Sequence, residues 1–200
     1  MLIEHAQAEA IPSRADATNP AAPAAGDTSP LADGSVVTVR RLEARDVELE
    51  RTFIERLSPS SRRYRFLESF SSPGETLLTQ LTQLDPAREA AFIAVIGAGK
   101  HEREIGIARF AEDADRRDCE FAVTVADEWQ KKGLGSLLMR HLIAEARSRG
   151  IATMHSSDAS ANEGMRRLAA HLHFRHARDP EDPTQVLHTV DLAQDDEPAA

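Results

Sequence analysis

A strand, a glycine-bearing turn and a long amphipathic helix follow one another between Phe121 and Arg149. Phe121-Ala122-Val123-Thr124-Val125 alternates like a strand, and Leu137 to Arg149 carries helical periodicity. Between them stands Gln130-Lys131-Lys132-Gly133-Leu134-Gly135-Ser136. Such a turn leaves successive backbone N–H groups unpaired at the positive end of a helix dipole. That arrangement is a cradle for a phosphate or pyrophosphate. The glycines let the backbone approach an anion with no Cβ in the way. Lys131 and Lys132 add positive charge beside it. Taken alone, the heptapeptide also fits an ordinary strand-to-helix turn that happens to hold two glycines.

The spacing rules out two common phosphate loops. A Walker loop needs Lys-Ser or Lys-Thr after its second glycine, and neither follows Gly135. A dinucleotide fingerprint needs a third glycine where Leu138 stands, although Asp158 could supply the acid of the next strand. What remains is Gln-x-x-Gly-x-Gly opening a helix.

At 200 residues and 41% hydrophobic content the chain has room for one core plus tails. Residues 1–33 are rich in Ala, Pro, Asp, Thr and Ser without usable periodicity, and read as a disordered tail. Residues 194–200 read as a short acidic tail, leaving 34–193 as the domain. The net charge of −9 argues against nucleic-acid binding. Cys119 is the only cysteine, so no internal disulfide can form, which fits a reducing compartment such as the cytoplasm. No apolar run reaches the ~18 residues of a membrane span. The N-terminus has neither a basic start nor an apolar signal core.

Along the domain, strands are expected at Val36–Arg40, Phe92–Ile96, Glu104–Phe110, Cys119–Val125, Thr153–Ser157, Phe174–Arg178 and Gln185–Val190. Helices are expected over Arg45–Leu57, after the Ser58-Pro59 cap, after a Ser72-to-Glu75 capping box, from the glycine turn to Arg149, and over Asn162–Leu172. Gly150 suits the position after the fourth of these. The order is β-α-α-α-β-β-β-α-β-α-β-β.

Three segments within this order carry a resemblance. They are Glu120-Phe121-Ala122-Val123 ahead of Gln130-x-x-Gly133-x-Gly135, Asn162-x-x-Met165-x-x-Leu168 followed by Phe174, and Leu57 to Phe66 with its Arg62-Arg63-Tyr64-Arg65 cluster. Together they resemble the GNAT superfamily of N-acetyltransferases. Within it they look like bacterial protein lysine acetyltransferases, including the catalytic domain at the end of some acyl-CoA-synthetase-like chains. The resemblance implies an α+β fold with a mixed central sheet and helices on both faces. It implies acetyl-CoA as co-substrate and no metal. Gln130, Lys131, Lys132, Gly133, Leu134, Gly135 and Ser136 would hold the cofactor's phosphates. Val123 and Val125 would meet its arm by main chain, on a strand splayed from its neighbour, and Asn162 would lie near that arm. Glu120 would be the general base, acting through water. The subgroup usually carries glycine at one of the two positions after Gln130, where this chain has lysine at both, which makes the loop more basic. Many members have a tyrosine acid near the last helix; here the only tyrosine is Tyr64.

Acetyl transfer from a thioester to an amine needs a neutral amine, a donor for the developing oxyanion, and contact between the reactants. A lysine with pKa ≈ 10.4 is neutral in only about one molecule in 10³ at neutral pH, so a base is useful. On the residues alone, Glu120 could instead be a solvated strand residue or pair with Arg109 across the hairpin. Asn162 could be a plain helix cap, and Cys119 a core residue. Arg62, Arg63 and Arg65 form either a solvated face or a reader of acidic protein. The eight histidines lack metal-ligand spacing, and Trp129 reads as packing beside the loop. Three functions follow. One is acetylation of a protein lysine, with an acyl-CoA synthetase among the candidate partners. The second is acetylation of a small amine, and the third is acyl-CoA sensing without turnover. Nothing in the sequence chooses between monomer and dimer.

Overall fold

The computed structural model describes residues 26–66 and 72–193; the tail segments 1–25 and 194–200 lie outside them. One eight-stranded sheet runs in the order β1-β2-β3-β4-β5-β6-β8-β7. Its strands are β1 (Asp27–Pro30), β2 (Val36–Arg41), β3 (Glu89–Ile96), β4 (Arg103–Glu112), β5 (Asp118–Val125), β6 (Thr153–Ala159), β7 (Arg175–Arg178) and β8 (Gln185–Asp191). The helices are α1 (Val47–Arg56), α2 (Pro59–Phe66), α3 (Glu75–Thr82), α4 (Leu134–Ser148) and α5 (Glu163–His171). Every neighbouring pair is antiparallel except β5 and β6, which run parallel. A parallel pair needs a crossover, and α4 supplies it.

Helices cover both faces. On one face α4 buries Leu134, Leu138, Leu142 and Ala146, each 1% exposed or less, against Phe110, Phe121 and Met154. Met165 and Ala169 of α5 join that cluster. Full burial of each such leucine contributes about 1.5–3 kcal/mol. On the other face Phe53 and Ile54 of α1 and Leu78 and Leu81 of α3 pack on Ile93, Val95 and Ile107. Helix α4 stops where Gly150 takes φ +75°, with Ile151 N–H donating to the Ala146 carbonyl and Gly150 N–H to that of Arg147. This is the double-bonded glycine stop expected at that position. Ser58 Oγ likewise caps α2, accepting from Ser61 N–H at 3.2 Å.

Two local expectations are corrected. The ordered chain begins before residue 34. Strand β1 pairs with β2 over Asp27–Pro30, and Leu31 is buried in the α4-side core. Its polar, proline-containing sequence hides a strand held by backbone pairing rather than by a patterned apolar face. The second correction is the cap of α3, which is Gly74. Ser72 Oγ donates instead to Glu55 Oε1 at 2.6 Å, and Glu75 takes Arg51 at 2.7 Å. Charged neighbours from α1 outcompete the local capping box.

Candidate active site

The parallel ladder between β5 and β6 is short. It pairs Asp118 with Thr153, Cys119 with Met154, and Glu120 with His155, and then ends. Beyond it β6 stays bonded to β8 and β5 stays bonded to β4, so a gap opens between β5 and β6. Asp113 N–H donates to the Asp118 carbonyl, and Ala126 N–H to that of Ile105. Antiparallel pairing alternates between bonded and non-bonded residues. These two bonds therefore fix which β5 residues bond β4: Glu120, Ala122 and Thr124. The backbone groups of Val123 and Val125 point the other way, past the last rung of the ladder and into the gap. Gln130 Nε2 donates to the Val125 carbonyl there, at 3.2 Å.

The same alternation sorts the side chains. Cys119, Phe121, Val123 and Val125 belong to the α4-side core. Glu120 and Ala122 therefore face the α1–α2 side, and α2 packs on β5. Glu120 is half-buried at the last rung of the ladder, where the gap begins. Arg109, the sequence's candidate partner for it, is cross-strand from Ala122 and reaches the Leu81 carbonyl at 3.3 Å and Glu89 at 3.4 Å.

The anion loop sits at the end of β5. Gly133 takes φ +88° and Lys131 φ +60°, so the chain turns left-handed twice before α4. The first helical bond of α4 runs from Leu137 N–H to the Gly133 carbonyl, and Gly133 offers no side-chain cap. The N–H groups of Leu134, Gly135 and Ser136 therefore have no partner within the helix, at its positive end, where an anion can be accepted. The two glycines do different work. Gly133 supplies a conformation L-residues rarely adopt. Gly135 is helical and faces α5, where an added Cβ would meet Leu168 Cδ2 at 3.4 Å, an ordinary contact. The two lysines also differ. Lys131 is exposed, whereas Lys132 is bound to Asp33 at 3.1 Å and lies over the Trp129 ring at 4.6 Å. The Leu134 side chain belongs to the core, leaving only its backbone to the loop.

On the far lip of the gap, Asn162 caps α5: its Oδ1 accepts from Met165 N–H at 3.1 Å, and its Nδ2 lies 3.5 Å from Asp158 Oδ1. Asp158 also accepts from Ser156 Oγ at 2.9 Å. Burial pushes the Asp158 carboxyl up, while Ser156, His188 and Asn162 pull it back. His188 faces Ser156 across the β6–β8 ladder, is 1% exposed, and has its pKa lowered by burial.

Helix α2, which the sequence offered as either a solvated face or a reader of acidic protein, brings further residues here. Arg65 is half-buried, and its pKa falls to about 10 through burial and the nearby Arg109, with Glu50, Glu120 and Asp158 opposing. The arginine cluster is thus not uniformly solvated. Tyr64 OH donates to the Ala161 carbonyl at 3.3 Å, beside Asn162. Asp127 accepts from Ser58 and Ser61, 69 and 66 residues away. Only tertiary contact reveals such pairs. Cys119 is fully buried, and burial pushes its thiol up to about 12, as suits a core cysteine.

The chain is similar to known proteins. The Acetyltransferase (GNAT) family matches residues 52–174. Acetyltransferase PA5475 of Pseudomonas aeruginosa is 44% identical over 162 residues, covering 81% of this chain and 87% of that protein. The GNAT domain of S. lividans PAT superposes with a TM-score of 0.76 at 26% identity, covering 83% of this chain and 96% of that one. Salmonella typhimurium yncA, solved with its cofactor acetyl-CoA, shares the fold with a TM-score of 0.62 at 21% identity, over 83% of this chain and 99% of its own. With a splayed strand pair, a glycine loop opening α4 and a family match over more than half its length, this chain belongs to the GNAT family of acetyltransferases.

Proposed function

We propose that this enzyme transfers the acetyl group of acetyl-CoA to the side-chain amine of a protein lysine, by direct attack with Glu120 as general base. One observation carries the reading: Glu120 stands at the last β5–β6 rung on the α2 side, and the Val123 backbone points into the gap just beyond it. A carboxylate on one face and an amide donor in the opening are what a thioester and an incoming amine require. The N–H groups of Leu134, Gly135 and Ser136 would take the pyrophosphate, with Lys131 beside them. Asn162 and the Val125 main chain border the path from there to the gap. The amine nitrogen forms its bond to the thioester carbon, and the carbon–sulfur bond breaks. The amine proton passes through water to Glu120, and the thiolate takes a proton from solvent. The likeness to the S. lividans PAT domain and the Leu57-to-Phe66 segment support a protein lysine as acceptor.

The test is a pair of measurements on wild type and Glu120→Gln. Calorimetric titration should give the same acetyl-CoA affinity for both, while amine acetylation falls by about 10²–10⁴ in the variant. Unchanged acetylation in Glu120→Gln would remove Glu120 as base. Absence of acetyl-CoA binding by the wild type would remove the whole reading. Intact acyl-CoA synthetase assayed beside a panel of free amines decides the acceptor; turnover confined to free amines would make the protein a small-amine acetyltransferase.

A further inference from the structure

Helix α2 bridges the opening between β5 and β6. Its first turn is tied to the β5 side through one carboxylate. Ser58 N–H donates to Asp127 Oδ2 at 2.9 Å, Ser58 Oγ to Asp127 Oδ1 at 2.7 Å, and Ser61 Oγ to the same Oδ1 at 2.9 Å. Its second turn reaches the β6 side through the bond from Tyr64 OH to the Ala161 carbonyl. The β5-side tie is next to the anion loop. Gln130, the first loop residue, holds the Val125 carbonyl with Nε2, and that same nitrogen lies 3.5 Å from Ser61 Oγ. Ser61 therefore touches both Asp127 and Gln130. One short network joins the backbone of β5 in the gap, the start of the anion loop and the helix over the acceptor side.

We propose that Asp127 is a positioning residue that couples the anion loop to α2, so that filling the cofactor side orders the acceptor side. The proposal rests on the reading that residues 130–136 hold the phosphates of acetyl-CoA. An anion on the Leu134, Gly135 and Ser136 N–H groups restrains the loop from Gln130 onward. Gln130 and Asp127 then restrain Ser61 and Ser58, and with them the turn that carries Tyr64 and Arg65. Asp127 suits this task because it accepts all three hydrogen bonds as a carboxylate. Burial raises its pKa, but the Ser58 and Ser61 donors outweigh that and hold it below the usual carboxylate range. Coupling of this kind is reciprocal, so an occupied acceptor side also favours the ordered loop.

Backbone hydrogen exchange with coenzyme A as the probe tests this without knowing the acceptor. In the wild type, coenzyme A should slow exchange both in the first turn of α4 and in α2. In Asp127→Ala the α4 protection should persist, while the coenzyme A-dependent part of the α2 protection drops about tenfold. Ser61→Ala, which leaves the Ser58 cap in place, should show the same split. The readout is the ratio of α2 exchange with and without coenzyme A, which a purely structural role for Asp127 leaves unchanged. Equal ratios in wild type and both variants would overturn the proposal. So would a wild-type α2 that ignores coenzyme A while α4 responds. If α4 itself gains no protection in the wild type, the cofactor reading fails, and the coupling fails with it.

Discussion

Lys132 Nζ lies 3.1 Å from Asp33 Oδ2, and the Lys132 carbonyl accepts from Ala32 N–H at 3.1 Å, so the β1–β2 turn is fastened to the anion loop. The Asp33 carboxyl is held down to about 2, first by Ser35 N–H and then by Lys132, so it stays charged at any working pH. It thus sets a negative charge beside the loop proposed to hold the phosphates. Asp33→Asn should tighten acetyl-CoA binding by about two- to fivefold at low salt, the range expected of an exposed pair. The gain should fade as ionic strength rises. Titration calorimetry at two salt concentrations checks both statements.

The two loop glycines should respond oppositely to alanine. Gly133 sits at φ +88°, where an L-residue costs about 1–2 kcal/mol. Gly135 is helical, and its added Cβ meets Leu168 at ordinary contact distance. Alanine there also gains about 1 kcal/mol of helix propensity. Urea denaturation should therefore show Gly133→Ala destabilised, and Gly135→Ala within about 1 kcal/mol of wild type with acetyl-CoA affinity kept. Gly135→Glu forces a carboxylate against Leu168 and Val125, next to the proposed anion site, and should abolish binding.

Glu50 and Glu104 meet between α1 and β4, at 2% and 3% exposure. Burial, then the neighbouring Glu50, pushes the Glu104 carboxyl well above the usual range. The native state therefore keeps a proton that an unfolded glutamate releases near pH 4.3. This contribution to stability is complete below about pH 4.3 and is lost as pH rises through the raised folded value. Stability should fall with rising pH, by at most about 1.4 kcal/mol per pH unit from this group. Glu104→Gln, neutral at every pH, should flatten the slope. Urea titrations from acidic to alkaline pH measure it.

Cys119 is exposed to neither solvent nor the gap: it packs in the α4-side core, and burial pushes its thiol up to about 12. A disulfide-forming thiol reagent should leave it unmodified in the native protein and label it fully in denaturant. Cys119→Ala should keep the rate of amine acetylation, which a route through acetyl-cysteine does not allow.

Much of this site is written locally in the chain. Val123, Gly133 and Asn162 are placed by strand alternation, a left-handed turn and a helix cap, and each of these depends on neighbours within a few residues. Glu120 is different. Its strand is legible, but its position at the end of the β5–β6 ladder depends on where β6 leaves β5 for β8. Periodicity carries no record of where two strands part. The misread segments share a cause. Asp27–Pro30 is a strand because β2 lies beside it, and Ser72 turns to Glu55 because α1 lies beside it.

By itself, then, the sequence determined the order of elements, the apolar stripe of α4 and the glycine loop that opens it, because each follows from propensity and spacing along a few turns of backbone. Tertiary structure alone decided that β5 and β6 separate, that Lys132 is tied to Asp33, and that Asp127 joins α2 to the loop. Those relationships bring together groups tens of residues apart, and only the packed sheet and helices supply the close approach that hydrogen bonds and ion pairs need.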